Sequence, residues 1–333
     1  MSTVRYSRNL SPAFEKHLSD SGVLSFLIRD TLSWNRSDHF AFDLQVREGD
    51  VLTLYYGTTK LVDVRFDPKK DQVRLSASRS YSHVAGYQDL MKRWALHELA
   101  STQRGHKVLS RYLLAAAEQA NERYYRNKKE GFWQNRVSLA FGRMSQGDAD
   151  WLVIDREAEI GFPSEAARKA FQGPIQNKYE SIRKQILSSR SRKWGDAGGK
   201  AFGNQCDFLA IGRKGELFCI ELKHGDDAPK VTFGSLQVAV YRDLFTKALP
   251  AISADIKALV RQKVDVGLLP KKALSRLPKA DFKTVVPVLA VAAPNHRSAC
   301  WDRLGEVMEH CPEARVTVVE IDDEKNPVCI SRS

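Results

Sequence analysis

The sequence predicts a mixed α/β protein, and three features of its pattern support that class. Between residues 41 and 77, short apolar runs alternate with turn residues, which is typical of an antiparallel meander. Residues 88–130 have helical periodicity. From about residue 160 onward, strand-length apolar runs alternate with helical patterns, as in α/β folds. The 333 residues are therefore expected to form an N-terminal α+β region, 1–155, and a second domain, 156–333.

The N-terminal region is predicted to hold a β-meander and helices. Phe42, Leu44 and Val46 alternate with polar residues, and this period of two indicates a half-buried strand. Helices are expected over residues 88–100 and 107–129, and a short strand over 136–141. The meander contains no catalytic pattern. A scaffold, a surface for a protein partner and a nucleic-acid contact are all compatible with it.

The charge of the chain favours a polyanionic partner. It has 52 Lys and Arg against 40 Asp and Glu, a net charge of +12, although a basic balance also serves solubility. Basic residues between positions 104 and 136 are interleaved with four aromatic residues: Tyr124, Tyr125, Phe132 and Trp133. This mixture suits a nucleic-acid backbone and its bases, and it equally suits a solvated helix face with aromatic residues in the core.

The cysteine pattern and the hydropathy favour a cytoplasmic protein without a membrane partner. The five cysteines include no Cys-x-x-Cys pair, so reduced thiols and no zinc site are expected. The first residues lack the apolar core of a signal peptide. No run approaches the roughly 18 apolar residues of a membrane span.

The stretch from residue 205 to 241 holds the polar residues on which the functional prediction depends. Asp207 opens one apolar run, a Gly-Arg-Lys-Gly turn follows, and a second apolar run leads to Glu221-Leu-Lys223. Two such runs predict an antiparallel hairpin. Because side chains at i and i+2 share a face of a strand, Glu221 and Lys223 point the same way. An acid and a lysine there are costly to bury without partners, and Asp207 can supply one.

Two carboxylates on adjacent strands with a lysine beside them are expected to form a site for a hard cation. Carboxylate oxygens suit Mg²⁺, or Mn²⁺, which also accepts phosphate oxygens. Such an ion lowers the pKa of water, and a lysine can orient or deprotonate that water. The pattern therefore predicts phosphodiester hydrolysis. The alternative is that Asp207, Glu221 and Lys223 form a salt-bridged strand end.

Asp207, thirteen intervening residues and then Glu221-Leu-Lys223 together resemble the motif of the PD-(D/E)XK nuclease superfamily. Gln237-x-x-x-Tyr241 is similar to the extra motif of its RecB-like branch. The resemblance spans roughly residues 162–293 and implies a restriction-endonuclease-like core. That core is a helix, a three-stranded antiparallel meander, a helix and a parallel strand. The sequence departs from the pattern in two ways, because no Pro precedes Asp207 and no His lies between positions 106 and 224.

The resemblance also implies roles for individual residues. Asp207 and Glu221 would bind the metal, and Lys223 would assist the attacking water. Gln237 and Tyr241 would lie near the site and the DNA, on one face of a helix over residues 235–247. The alternative is a partly buried Tyr with a Gln beside it.

The resemblance further implies a carboxylate from the helix before the meander. Glu180 is the first candidate and Glu165 the second. A surface Glu180 paired with Lys184 on the same helix is the alternative.

The basic stretch 188–203 is expected to meet phosphates through Arg190, Arg192, Lys193 and Lys200. The function expected from these features is a divalent-metal-dependent nuclease that hydrolyses DNA. The resemblance suggests a restriction, repair or anti-phage system. The alternatives are a catalytically silent nucleic-acid-binding protein with the same fold, or a nuclease gated by a protein partner docked on the N-terminal region.

Overall fold

The computed structural model describes residues 4–34, 42–145, 149–189, 202–322 and 329–331. The chain divides into two compact units. The amino-terminal unit contains Ser7–Met144 and Lys257–Leu274, and the carboxy-terminal unit contains Met1–Tyr6, Ser145–Ile256 and Ser275–Ser333. The expected boundary after residue 155 falls inside a strand, Trp151–Ala158. The division is therefore not a single cut, because each unit contains segments from separate parts of the chain.

The amino-terminal unit is built on a five-stranded sheet in which all neighbours are antiparallel, in the order β1-β2-β3-β4-β5. The strands are β1 (Phe42–Arg47), β2 (Val51–Tyr56), β3 (Thr59–Asp67), β4 (Gln72–Ala77) and β5 (Arg93–Ala95). The first four lie within the residues for which the sequence predicts a meander. All six residues of β2 are buried, so this strand is covered on both faces.

Helices make up much of the rest of the amino-terminal unit. They are α1 (Pro12–Leu18), α2 (Ser25–Trp34), α3 (Tyr87–Leu90), α4 (Leu96–Ala100), α5 (Gly105–Ala120) and α6 (Glu130–Ser138). Two π-helical turns, Asn121–Tyr125 and Leu139–Arg143, follow α5 and α6.

Two predictions in this unit are wrong. Residues 88–100 contain β5 between two short helices, and residues 136–141 are helical instead of extended. Val137, Leu139 and Phe141 alternate like a strand, but a short apolar run cannot be distinguished by period from a buried helix. All three side chains are buried.

The aromatic residues of the basic stretch 104–136 that the structure describes as buried belong to the core. Tyr125 and Trp133 are 5% and 2% exposed. The Tyr125 hydroxyl accepts a hydrogen bond from the backbone N–H of Thr58 at 2.6 Å. Its ring lies against Gly57, whose φ of +59° and lack of a side chain both permit this turn. These two rings are therefore structural and are not platforms for bases.

The carboxy-terminal unit is built on a six-stranded mixed sheet in the order β11-β10-β9-β8-β7-β6. Its strands are β6 (Trp151–Ala158), β7 (Cys206–Gly212), β8 (Leu217–His224), β9 (Val285–Ala292), β10 (Thr317–Ile321) and β11 (Cys329–Ser331). β6, β7 and β8 are antiparallel neighbours, and β8, β9 and β10 are parallel. The chain is thus a mixed α/β protein with two sheets.

The helices of this unit are α7 (Glu165–Ser189), α8 (Ala228–Asp265) and α9 (Cys300–His310). The helices predicted at 235–247 and 252–264 are one 38-residue helix, α8, with Pro250 inside it. Residues of α8 after Ile256 belong to the amino-terminal unit. One difference from the expected order is that α7 lies between β6 and β7, whereas the resemblance places the helix before all three antiparallel strands.

A glycine sets how closely α8 packs on the sheet. A Cβ built on Gly234 would come within 2.6 Å of the Leu289 side chain on β9, so the helix backbone lies directly on the strand. Beside this contact, Val231 of α8 packs with Leu289, Val291 and Leu304 in one apolar cluster. This packing places the start of α8 over β8 and β9, where the motif residues lie.

Candidate functional site

The β7–β8 hairpin brings the predicted motif residues together. Leu209 pairs with Cys219 and Phe208 with Ile220, so Asp207 lies beside Glu221 at the next position. Glu221 and Lys223 are in register with Leu289 and Val291 of β9. Directly paired residues share a face of the sheet. That face is therefore the one on which α8 packs.

Asp207 is fastened to the neighbouring strand. It is half-buried, and its Oδ2 atom accepts a hydrogen bond from the backbone N–H of Leu222 at 2.8 Å. Leu222 is the residue between Glu221 and Lys223. The bond holds the Asp207 carboxylate next to both motif side chains of β8.

Glu221 and Lys223 form a buried ion pair. They are 2% and 5% exposed, and the Lys223 ammonium donates to Glu221 Oε1. Removing two such charges from water costs several kcal/mol for each ion, which their attraction offsets only with good geometry. A buried ion pair is thus a poor way to stabilise a strand end.

Gln237 and Tyr241 lie one turn apart on α8, as the i, i+4 spacing requires. Gln237 Nε2 donates to the Tyr241 hydroxyl at 2.9 Å. Tyr241 is 1% exposed, and a Cβ on Gly203 would lie 3.2 Å from its hydroxyl. The pair therefore reaches the chain segment that leads into β7 and Asp207.

A tyrosine hydroxyl and a cysteine thiol near the ion pair are buried and remain protonated. Burial raises the pKa of Tyr241, and the negative charge of Glu221 raises it further. Burial raises the pKa of the Cys206 thiol well above its usual value, and the neighbouring Cys219, Glu221 and Asp207 act in the same direction. Neither group supplies a phenolate or thiolate nucleophile at neutral pH.

Helix α7 turns one face toward the approach to β7. Gln176 Nε2 donates to the carbonyl of Phe202 at 3.2 Å, and the Arg183 guanidinium lies over the Phe202 ring at 5.4 Å. Glu180 is on this face, one turn from each, and its Oε1 accepts from Arg183 at 2.8 Å. Glu180 Oε2 is buried, and no described group donates a hydrogen bond to it.

Glu165 lies at the opposite end of α7. It is exposed and bonded to Arg168 at 2.7 and 2.8 Å, and that hydrogen-bonded pair lowers the pKa of its carboxyl. Fifteen residues of helix separate Glu165 from Glu180, about 22 Å. Both cannot serve one site. The Phe202 contacts favour Glu180.

Within the described ranges, no group of three or more His, Cys, Asp or Glu side chains is arranged to hold a metal ion. Glu180 is therefore not placed as a third ligand beside Asp207 and Glu221 in this geometry. The four basic candidates Arg190, Arg192, Lys193 and Lys200 lie outside the described residues.

Sequence reasoning missed a buried acid on β6. Asp155 is 1% exposed and pairs with Leu209, two residues from Asp207. Tyr6, which is fully buried, donates its hydroxyl to Asp155 at 2.5 Å. No local pattern could have shown this, because the two residues are 149 positions apart.

Comparison of the chain with protein-family models, with curated proteins and with solved structures gives no match in any of the three. Across the part of the chain that the structure describes, no helix is long and apolar enough to cross a membrane.

Proposed function

We propose that this protein is a divalent-metal-dependent nuclease that hydrolyses phosphodiester bonds in DNA. The observation that carries the proposal is the buried Glu221–Lys223 pair beside the half-buried Asp207 carboxylate. The hairpin, the helix α8 and the parallel strand β9 follow the order that the nuclease resemblance implies. The basic balance of the chain, with a net charge of +12, suits a polyanionic substrate.

The donor atoms at this site fit a hard cation. Asp207 and Glu221 offer carboxylate oxygens on adjacent strands, and neither contributes sulfur or imidazole, so Mg²⁺ or Mn²⁺ is the ion expected. When bound, such an ion would neutralise phosphate charge and lower the pKa of water. Asp207 and Glu221 would hold it, with Glu180 as the proposed further carboxylate.

Lys223 would orient the nucleophile. Its ammonium is held by Glu221 and would hydrogen-bond the attacking water. As the water oxygen bonds to phosphorus, its proton passes to solvent and the bond to the leaving oxygen breaks. The leaving oxygen then takes a proton from solvent. A positioned acid or base of this kind contributes about 10²- to 10⁴-fold in rate.

Gln237 and Tyr241 would orient the Glu221 carboxylate. Tyr241 keeps its proton and lies within the electrostatic reach of Glu221, and Gln237 fixes the hydroxyl. We assign this pair a positioning role, with Gln237, which is half-buried, as the member nearer to solvent.

One observation favours a second candidate, a nucleic-acid-binding protein without catalysis. Lys223 bonds directly to Glu221, so its ammonium competes with a metal ion for that carboxylate. A protein that kept this pair closed would bind DNA and leave it intact.

Cleavage assays test the proposal. Linear duplex, circular plasmid and single-stranded DNA are incubated with Mg²⁺, Mn²⁺ or EDTA, with wild type and Asp207→Asn. We expect cutting that requires the metal and is lost in the variant. Intact DNA of all three kinds over a wide enzyme range would refute the nuclease, and binding without cutting would favour the second candidate.

A further inference from the structure

The far end of the β7–β8 hairpin is packed against a second basic segment. Gly215 in the hairpin turn has a φ of +80°, and a Cβ there would lie 3.2 Å from Pro278. Just beyond the turn, the backbone N–H of Leu217 donates to the carbonyl of Thr284 at 2.9 Å. Residues 276–284 therefore run alongside the turn, although they are more than 60 positions away in sequence.

A buried arginine fixes this arrangement. Arg276 is 7% exposed, and its guanidinium donates to the carbonyls of Ile211 at 3.3 Å and Ala149 at 2.7 Å. Burial lowers the pKa of Arg276, and the charge of Arg213 lowers it further. The two guanidinium groups thus lie close together, and the turn and the segment are held as one surface.

That surface presents exposed cations, which we call the hairpin-end patch: Arg213, Lys214, Lys279 and Lys283. The three lysine ammonium groups form no ion pair with any residue that the structure describes. Asp150 lies 3.4 Å from Arg213, Glu216 accepts from the backbone N–H of Lys214, and Asp281 lies between the two later lysines. With Arg276 included, the cations outnumber the carboxylates.

The hairpin sets the distance between this patch and the candidate site. Lys214 lies in the turn, seven positions before Glu221, and an extended chain rises about 3.3 Å per residue, so the two residues are separated by up to about 23 Å. A DNA strand in a duplex carries one phosphate per about 3.4 Å of helix axis. The separation corresponds to up to about seven base pairs.

We propose that the hairpin-end patch binds the phosphate backbone of duplex DNA up to about seven base pairs from the bond that is cut. This inference rests on the proposed function and names a part of the substrate that the motif residues do not touch. Lysines bind phosphates as point charges, and such contacts position a duplex without reading its sequence. The patch therefore favours long duplexes over short ones and has no sequence preference of its own.

Binding in EDTA tests the inference without hydrolysis. Fluorescence anisotropy is measured with duplexes of 6 to 20 base pairs between 50 and 200 mM salt. Three proteins are compared: wild type, K214Q/K279Q/K283Q and the control K169Q/K178Q/K230Q. The control removes the same charge, but its lysines already pair with Glu165, Glu313 and Asp227.

We expect the patch variant to bind the 20-base-pair duplex about 10- to 100-fold more weakly, with the slope of log K against log salt reduced by about 0.9 per lost contact. The ratio to wild type should grow with duplex length, and the control should change much less. Equal affinities of wild type and patch variant would overturn the inference, and metal-dependent cutting would still support the nuclease. A wild type that neither binds nor cuts overturns both, whereas patch-dependent binding without cutting overturns the nuclease and keeps only the contact between the patch and DNA.

Discussion

Each unit of this protein contains a buried lysine near a strand carboxylate, on strand β8 in one unit and on helix α8 in the other, but the two lysines are bonded differently. In the carboxy-terminal unit, Lys223 donates directly to Glu221, beside the half-buried Asp207. In the amino-terminal unit, Lys263 donates to Gln45 at 3.0 Å, and Gln45 in turn donates to both oxygens of Asp43 at 3.0 Å. An amide thus separates the two charges of the second network.

The carboxylate at the centre of each network has a different environment. Asp43 is 6% exposed and also accepts from the Ser138 hydroxyl at 3.0 Å, so it lies inside the core and accepts from at least two neutral side chains. Asp207 is open to solvent on one side and takes a backbone N–H from the next strand. A carboxylate that is buried and hydrogen-bonded inside the core anchors a fold. One that borders solvent beside a buried acid and lysine can receive a ligand.

The largest expected effect comes from removing Lys223. Lys223→Ala should abolish cleavage and lower the free energy of unfolding by about 3–5 kcal/mol, because it removes the ammonium that offsets the buried Glu221 charge. Urea denaturation and cleavage assays measure the two effects. The double variant Glu221→Leu/Lys223→Met removes both charges, so it should regain most of the stability and still cut nothing. Recovery of cleavage with stability would mean that the pair is only structural.

Lys263→Ala is the matched test in the amino-terminal unit. It leaves one neutral acceptor, Gln45 Oε1, without its donor, which costs about 1–3 kcal/mol. The folded variant should cleave DNA at the wild-type rate. A loss of cleavage in the folded protein would show that this second network also takes part in the chemistry.

Asp43 should matter more for stability, and Asp207 should matter more for metal binding. Asp43→Ala should cost about 1–3 kcal/mol for each buried donor that loses its acceptor. Asp207→Asn keeps the volume of a half-buried side chain and should change stability by much less. In wild type, Mn²⁺ should raise the melting temperature, because a ligand that binds only the folded state stabilises it. Asp207→Asn should lose this shift and Asp43→Asn should keep it, whereas the opposite result would place the metal at the wrong aspartate.

Much of the carboxy-terminal site could be predicted because its signals are local. Asp207, the Gly-Arg-Lys-Gly turn and Glu221-Leu-Lys223 lie within one hairpin, and Gln237 and Tyr241 lie within one helical turn. Strand alternation and helical spacing are short-range rules. These two rules alone predict which of these side chains share a face of their strand or helix.

The amino-terminal network could not be predicted for the same reason. Ser138 is 95 residues from Asp43, and Lys263 is 218 residues from Gln45. These residues meet because the fold buries them together, and their spacing in the sequence does not indicate it. Pattern also failed where a buried π-helical turn, Leu139–Arg143, imitates a strand, and where a helix continues through Pro250 because its packing outweighs the break.

Variants of Glu180 and Glu165 test whether helix α7 contributes a carboxylate to the candidate site. If the carboxylates of the site extend to α7, Glu180→Gln should weaken Mn²⁺ binding by about tenfold, in the range seen for outer groups of metal sites. Glu165→Gln should leave Mn²⁺ binding unchanged and hardly alter stability, since the residue is exposed. Isothermal titration with Mn²⁺ measures the binding by each variant, and urea denaturation measures the stability. Equal affinities for wild type and Glu180→Gln would confine the ligands to the β7–β8 hairpin.

The smallest expected effect concerns alkaline pH. The folded-state pKa of Tyr241 is raised above its unfolded value of about 10 by burial and by Glu221. Its contribution to stability is therefore complete below pH 10 and declines as pH rises, by about 1.4 kcal/mol per pH unit, because unfolding releases one proton. Tyr241→Phe should make the fall in unfolding free energy between pH 10 and 11 shallower by about this amount. In the amino-terminal unit, burial lowers the pKa of Arg143 to about 10. The contribution of Arg143 to the free energy of unfolding therefore rises with pH over the same range, opposite to that of Tyr241. Urea denaturation at pH 9, 10 and 11 measures the difference, and identical slopes in both proteins would mean that Tyr241 is not held beside the Glu221 charge.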